Sequence, residues 1–358
     1  MVGPVMARVR HQHVEVTRVY NCRTVSAFGE KSVDHDVNII NTAHLSRRGV
    51  SLRRNLFSQT PTMRTIQRTL HLQGNADPQI NLLLGKQWTL YAVTPLYKFS
   101  YGQLKEYSRQ LSRFIAAESQ RRPVETEYEL QFNVKFSSFS ALKLAEQEPD
   151  PVLIQITERP QVAAKNAEEK VVWMGWFTCT GGNDLFETVS EEFAFLPLFL
   201  VNGAKALTDF VETWLQQTFD CCLSPLHITP IILSWIAAMW TGCPMDNPTV
   251  PTELTFSTLG TAYPLDISYA IHPEDAKALW DSIHSTQGEI KQEQVELFMA
   301  CLYNHFHRHF KIYLSGTTLV KVSTSVGSAH SVGKIKIFHA QHLISLMAFL
   351  AELAVLKI

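Results

Sequence analysis

Ten residues in the first half of the chain, Glu127–Phe136, alternate apolar and polar side chains without a break. A period of two is typical of a β-strand with one buried and one exposed face. Other β-rich stretches, among them Trp88–Val93 and Val171–Thr178, stand among helical patterns such as Ala204–Phe219, with no regular strand–helix–strand repeat. This order favours an α+β fold, with a mixed, largely antiparallel sheet and helices packed against it, over a doubly wound parallel sheet.

Helices are predicted wherever apolar residues recur three and four positions apart. The first follows Ser100, with Gln103 at the capping-box position, and its apolar stripe leaves Lys105, Arg109 and Arg113 as a basic ridge on the outer side. The other predicted helices are Ala204–Phe219, the all-apolar and therefore buried Ile231–Trp240, a helix that starts at His272–Asp275, Glu289–Tyr303, and His342–Leu356.

Three strands are predicted near the C-terminus, at Lys311–Leu314, Thr318–Ser323 and Lys334–Phe338, with Gly316, Gly327 and Gly333 in the turns. The alternating stretch 317–328 contains no acid and is a candidate exposed edge, and edges invite pairing with a second polypeptide. The alternative is an internal strand that is already paired on both sides. On the first interpretation the candidate partner contacts are Thr318, Val320, Val322 and Thr324.

Charge is distributed unevenly along the chain. Residues 1–77 carry 11 Lys and Arg side chains against 5 acids, and they show no sustained period of 2 or 3.6. We therefore expect a basic, mostly disordered N-terminal arm ahead of an ordered body at residues 78–358. Such an arm suits contact with an anionic polymer or an acidic partner, and the alternative is a solvated tail without a partner.

The sequence shows no sign of a secreted or membrane protein. The first residues lack the apolar run of a signal peptide. The longest apolar runs, Ile231–Trp240 and Leu343–Ile358, are shorter than the ~20 residues that cross a bilayer. Six cysteines in 358 residues are too sparse for a disulfide framework. These features predict a reduced, intracellular protein.

The cluster His305, His307 and His309 is the one pattern that suggests a metal-dependent enzyme. On a strand the three imidazoles would share a face, whereas on a helix only His305 and His309 would. No Cys, Asp or Glu nearby repeats at ligand spacing, and Arg308 between the histidines opposes a cation. The sequence also lacks a phosphate-binding loop and the common hydrolase and kinase motifs. We therefore predict no enzyme activity, no cofactor and no metal, and keep a site on these histidines as the alternative.

Basic side chains make a better case for function. Positively charged residues that line a groove bind nucleic-acid phosphates independently of sequence and in a salt-dependent manner. The candidate DNA contacts are Arg308, Lys321, Lys334 and Lys336, with the ridge Lys105, Arg109 and Arg113 behind them. The alternatives are ordinary solubility for each residue, or pairing with acidic segments of a protein partner.

Several long strings resemble the centromere protein L family. They include K-Q-W-T-L-Y at 86–91, T-P-L-Y-K-F-S-Y at 94–101, A-I-H-P-E-D-A-K-A-L-W-D-S at 270–282 and H-F-H-R-H-F-K at 305–311. The resemblance spans roughly residues 80–358. Residues 1–75 show little of it, so the arm inherits no role from the family.

This resemblance implies a non-enzymatic subunit of the constitutive centromere-associated network, the inner kinetochore assembly in the nucleus. It implies a heterodimer with centromere protein N through the C-terminal part, about residues 250–358. It further implies contacts with centromere protein C, with centromere proteins H, I, K and M, and with the centromeric nucleosome and adjacent DNA. The expected role is support of kinetochore assembly and chromosome segregation.

Overall fold

The computed structural model describes residues 4–11, 14–21, 80–121, 131–139, 148–159, 170–179, 192–245, 250–258, 264–284, 290–340 and 343–358. Within the basic arm, the described residues form two strands, Pro4–His11 and Val14–Asn21. The remainder of that arm lies outside the described residues, so its disorder stays a prediction. The same holds for the first part of the predicted strand at 127–136.

Thirteen of the described strands form one sheet in which every neighbouring pair is antiparallel. The strand order across the sheet is β2-β1-β12-β11-β13-β14-β15-β3-β9-β7-β6-β5, and β10 pairs with β3. Strands β4 and β8 form a separate two-stranded pair. The strands are β1 Pro4–His11, β2 Val14–Asn21, β3 Gln87–Val93, β4 Leu96–Tyr97, β5 Gln131–Ser138, β6 Val152–Arg159, β7 Lys170–Thr178, β8 Phe193–Ala194, β9 Leu198–Gly203, β10 Leu223–Pro225, β11 Thr252–Thr258, β12 Asp266–Ile271, β13 Thr317–Ser323, β14 Gly327–His330 and β15 Lys334–Ile337.

The six described helices occur where the apolar spacing predicts them, and with the sheet they confirm the α+β prediction. They are α1 Leu104–Arg121, α2 Lys205–Phe219, α3 Pro230–Gly242, α4 Pro273–Ile283, α5 Gln292–Phe310 and α6 Leu343–Val355. The capping box at Ser100 was wrong. Its side chain makes no cap hydrogen bond, and a 3-10 turn at Tyr101–Gln103 precedes α1.

Helices cover both faces of the sheet near its middle. In β9, Leu198 and Leu200 pack in the core beneath α3–α6, whereas the alternate residues Phe199 and Val201 pack beneath α1 and α2. A strand that is buried on both faces has no polar alternation, because neither face meets water. The sheet therefore joins two cores, one on each side, and both contain residues of β3, β7 and β9.

Towards β11–β15 the described helices cover only one face of the sheet. Leu254, Phe256 and Val322 point into the core beneath α3–α6. Their neighbours along the strands, among them Lys321 and Ser323, are half-buried and lie on the other face. We call this second face of β11–β15 the open face, and its polar residues follow from the period of two.

The predicted exposed edge at residues 317–328 was wrong. Strand β13 pairs with β11 on one side and with β14 on the other, so its backbone hydrogen-bonding groups are used within the sheet. Val322 and Thr324 are buried and have no surface to offer a partner in this fold, while Thr318 and Val320 are half-buried. The alternative interpretation, an internal strand, is the correct one.

The edge that the sheet does have at β5 is blocked by α1. The backbone N–H of Phe136 donates to the Ser108 hydroxyl at 2.9 Å, and the Ser112 hydroxyl donates to the Phe132 carbonyl at 3.1 Å. These two serines stand one helical turn apart, and they pair with backbone groups that would otherwise be open to another chain.

The structure also corrects the turn region after α5. Lys311–Leu314 is not a strand: Lys311 ends the helix in the left-handed conformation with φ of 58°, and Leu314–Gly316 forms a 3-10 turn. Gly327 lies within β14 rather than in a turn. A Cβ on Gly327 would stand 2.5 Å from the Lys336 carbonyl oxygen, so close backbone approach explains the glycine.

Candidate nucleic-acid interface

Three of the predicted DNA contacts come together on the open face. Lys321 pairs in register with His330, and His330 with Lys334, across the adjacent strands β13, β14 and β15. Lys336 lies two residues beyond Lys334 and so points to the same side. Neighbouring strands are about 4.8 Å apart, which puts Lys321 and Lys334 roughly 10 Å from each other. The sheet thus builds a compact basic patch, Lys321–His330–Lys334–Lys336.

His330 is a member of this patch that sequence reasoning missed. Partial burial lowers the pKa of its imidazole, and the positive charges of Lys321 and Lys334 lower it further, against a smaller opposite effect of Asp266. The positive charges of the two lysines therefore outweigh the negative charge of Asp266 at the position of the ring. The strand that carries His330, G-S-A-H, contains no residue of high strand propensity, so no periodicity signal marks it.

The patch has an acidic boundary. Glu253 of β11 stands opposite Ser323, and Asp266 of β12 stands opposite Ser257, so both acids lie on the open face. On the other side β3 contributes the uncharged Gln87 and Thr89 opposite Lys336 and Lys334. Among strands β11–β15, the positively charged residues of the open face therefore stand on β13–β15, and the register of β1 brings Arg8 and Arg10 opposite Ser268 and Asp266 of β12.

The basic ridge of α1 is not part of this patch. Lys105, Arg109 and Arg113 are exposed as expected. However, α1 packs on β5, and β3, β9, β7 and β6 lie between β5 and β15 in the sheet. Arg109 also pairs with Glu106 of its own helix at 3.4 Å. The ridge is thus a separate surface, and it requires separate tests.

Arg308 lies on the opposite side of the sheet from the lysines. It is exposed in the last turn of α5, whose residues Phe298, Leu302 and Phe306 pack in the core with Leu254 and Phe256. Those strand residues alternate with Thr255, which pairs with Lys321 on the open face. Arg308 and the patch lysines therefore do not line one groove in this fold.

The histidine cluster is helical, and it divides as expected for a helix. Helix α5 continues through Phe310, so the cluster lies in its last turns rather than at a helix-to-strand junction. The rings of His305 and His309 are 4.4 Å apart, and a hydrogen bond joins His305 Nδ1 to the Tyr269 hydroxyl. His307 instead stacks on Tyr313. Within the described ranges no three His, Cys, Asp or Glu side chains are placed to hold a metal ion.

Acidification should destabilise the protein through His305. Burial lowers the pKa of its imidazole, as do the nearby charges of His309 and Arg308, with a smaller opposing effect of Asp275. A lowered native pKa means that the unfolded chain binds the proton first, so this contribution to stability is complete above about pH 6.5 and is lost as the pH falls below it. Urea unfolding between pH 7 and about pH 5 measures the loss, and His305→Gln should reduce the pH dependence. An unchanged pH dependence in that variant would contradict the assignment.

No helix within the described part of the chain is both long and apolar enough to cross a membrane. The five described cysteines are unpaired, and burial raises the pKa of the Cys221 and Cys243 thiols to about 12. Neither thiol is therefore an activated nucleophile at neutral pH.

Comparison with known proteins gives consistent results. A family model described as centromere protein L matches residues 82–355. The chain is 52% identical over 322 residues to centromere protein L of Homo sapiens, covering 89% of this chain and 94% of the relative. It is 56% identical over 288 residues to that of Gallus gallus, covering 80% and 84%. It is also 24% identical over 259 residues to the inner kinetochore subunit fta1 of Schizosaccharomyces pombe, covering 70% and 88%. The 322-residue alignment with the human relative is longer than the segment 76–358. It therefore also includes part of the segment before residue 75, for which the sequence predicts little resemblance.

Proposed function

The chain belongs to the centromere protein L family, and we propose that it acts as a non-enzymatic structural subunit of the inner kinetochore that contacts DNA through the Lys321–His330–Lys334–Lys336 patch. Family membership gives it a role at the kinetochore, on the centromeric chromosome in the nucleus, in chromosome segregation. The observation that carries the DNA proposal is the register that brings these four residues of β13–β15 to one face.

The geometry of the patch suits backbone contact rather than base recognition. Its side chains stand on a rigid sheet and lysine is a flexible point charge, whereas base reading relies on side chains that enter a groove and make bidentate hydrogen bonds. Binding should therefore be independent of sequence and should weaken steeply with salt.

Replacing Lys321, Lys334 and Lys336 by alanine should weaken DNA binding by the full-length chain equally for two duplexes of unrelated sequence. Each phosphate contact contributes about 0.9 to the slope of log Kobs against log salt, so the slope should become shallower by roughly 2–3. Fluorescence anisotropy titrations at several salt concentrations measure both quantities.

The α1 ridge provides a matched control for that experiment. The triple variant Lys105→Ala, Arg109→Ala, Arg113→Ala removes the same number of charges from a distant surface. Its salt slope should change by less than half as much. If the two variants behave alike, either net charge or DNA contact by both surfaces explains the effect, and the patch is not the specific site; if the lysine variant keeps the wild-type slope, the patch does not bind DNA.

We further propose that the chain forms a heterodimer with centromere protein N through about residues 250–358, and through that pair meets centromere protein C, centromere proteins H, I, K and M, and the centromeric nucleosome. The support is family membership together with the half-buried Thr318 and Val320. An alternative role as a metal-dependent enzyme has no support from the arrangement of the histidines.

Co-expression with centromere protein N followed by size-exclusion chromatography tests the pairing. The two chains should elute together, and Thr318→Glu with Val320→Glu should separate them, while Lys105→Glu should not. A truncation at Gly316 is unsuitable, because it removes β13–β15 and α6 from the middle of the fold. Separate elution of two correctly folded wild-type chains would refute the heterodimer.

A further inference from the structure

The turn after α5 presents an exposed aromatic ring that the fold holds in place. Tyr313 is 73% exposed and the adjacent Ile312 is 41% exposed. The Tyr313 ring stacks on that of His307, with centroids 3.8 Å apart and planes inclined by 21°. Aromatic residues are enriched at protein interfaces, so an exposed ring that the fold holds in place is a candidate contact for a partner.

The backbone on both sides of this ring is fixed. Before it, the Lys311 N–H donates to the His307 carbonyl at 2.8 Å and closes the helix. After it, Leu314 is buried, and the Thr317 hydroxyl donates to its carbonyl at 2.7 Å. Tyr313 therefore pays little conformational entropy on binding, which is the property of a rigid aromatic anchor.

The surroundings of the ring are positively charged. Arg308 in the last turn of α5 and Lys311 at its C-cap are both exposed just before the turn, and neither has an ion-pair partner among the described residues. Tyrosine and arginine are also the residues most enriched at the energetic centres of protein interfaces. We call Arg308, Lys311, Ile312 and Tyr313 the Tyr313 patch.

We propose that the Tyr313 patch is a docking site for an acidic segment of another protein that carries an apolar side chain next to its carboxylates. Charge complementarity selects the acidic segment, and the apolar side chain covers Ile312 and the Tyr313 ring. Duplex DNA fits less well, because its phosphate backbone satisfies two cations but offers nothing apolar to a protruding tyrosine. The site lies on the α3–α6 side of the sheet and does not depend on the DNA proposal.

An array of short synthetic peptides provides the probe. The peptides are rich in Asp and Glu with two Phe or Leu residues at varied positions, and matched arrays replace the acids by Asn and Gln, or the apolar residues by Ser. The full-length chain should bind the best acidic–apolar peptide at least about tenfold tighter than either matched control. Failure to bind any of them at millimolar concentration overturns the proposal.

Variants identify the surface. Tyr313→Ser should weaken the best peptide about 30-fold, as expected for an interface anchor, and Tyr313→Phe should retain binding because it keeps the stacked ring. Arg308→Glu with Lys311→Glu should weaken it at least as much. The matched charge reversal Lys321→Glu with Lys334→Glu, on the other side of the sheet, should have less than a threefold effect. Unfolding midpoints of all variants verify that they are folded.

Two results would reject the docking site. Equal losses from the two charge reversals would show that the peptide responds to net charge alone. Displacement of the peptide by duplex DNA that depends on Arg308 and Lys311 would assign the patch to nucleic acid instead.

Discussion

Replacement of Gly333 by alanine should destabilise the protein by about 2–5 kcal/mol, a large fraction of the roughly 5–15 kcal/mol that stabilises a typical native protein. Gly333 closes the turn between β14 and β15 with φ of 75°, a conformation that costs an L-residue about 1–2 kcal/mol. A Cβ there would also lie far inside contact distance of the Leu226 carbonyl oxygen.

That oxygen has little freedom to move away. The N–H of Leu226 donates to the Leu90 carbonyl at 2.9 Å, and the N–H of Leu90 donates to the Gly333 carbonyl at 2.9 Å. The backbone of Leu226 and the backbone of Gly333 are therefore both hydrogen-bonded to Leu90 of β3. Relief requires breaking one of these hydrogen bonds in a buried region, which adds the cost of an unsatisfied backbone group.

Gly85 is the matched control, because its φ is 69° but no described residue other than its two chain neighbours has an atom within 4 Å of the position of its Cβ. Gly85→Ala should cost about 1–2 kcal/mol, the conformational part alone. Urea unfolding followed by circular dichroism measures both variants. Equal losses would show that the backbone around Leu226 yields to the methyl group, which contradicts the rigid packing argued above.

The same substitution should impair DNA binding. Gly333 directly precedes Lys334, and its N–H donates to the His330 carbonyl at 2.9 Å, so a shifted turn misaligns two members of the basic patch. Gly85 contacts that hairpin only through the hydrogen bond from its N–H to the Ile337 carbonyl at the far end of β15, and its Cβ meets no such backbone atom, so Gly85→Ala should retain DNA binding. If Gly333→Ala is folded and binds DNA with the wild-type salt slope, DNA binding by the patch does not depend on the conformation of this turn.

Sequence patterns predicted the helices better than the sheet. The inward residues of α2, including Phe210 and Trp214, are buried as the three-and-four spacing requires. Helical periodicity extends over many residues and depends only on local neighbours, so a single sequence contains it. The extension of α5 through the histidines was missed because His305 and His309 interrupt the apolar stripe.

The position of a strand within the sheet depends on contacts that a local pattern does not contain. Residues 317–323 look the same at an edge and in the interior, and only the pairing of β13 with β11 and β14 distinguishes the two. Strand β14, with the sequence G-S-A-H, forms because it pairs with β13 and β15, not because its residues have a high strand propensity. The lysines of the patch were therefore predictable as candidates, but His330 and the separation of Arg308 were not.

Replacement of Trp88 by alanine should cost about 3–5 kcal/mol, the other large effect that we expect. The side chain is fully buried beneath α3–α6, and its Nε1 donates to the Leu83 carbonyl at 2.9 Å. Trp88→Phe keeps most of the apolar contact but leaves that carbonyl unpaired, so about 1–3 kcal/mol is expected for it. Urea unfolding measures both, and a loss below about 1 kcal/mol for the alanine variant would contradict the packing described.

Trp88 also tests whether residues 78–358 behave as one domain, because β3 supplies Trp88 to one core and Val93 to the other. Cys179 lies in the core beneath α1 and α2, and Cys243 packs against the core beneath α3–α6. Thiol labelling at increasing urea, read residue by residue by mass spectrometry, reports the opening of each core. If the shared strands couple the cores, Trp88→Ala and Trp173→Ala, one from each core, should each lower the labelling midpoint of both cysteines equally. If the cores are two independent domains, Trp88→Ala should expose Cys243 first and Trp173→Ala should expose Cys179 first. That result would contradict the prediction that residues 78–358 form one body.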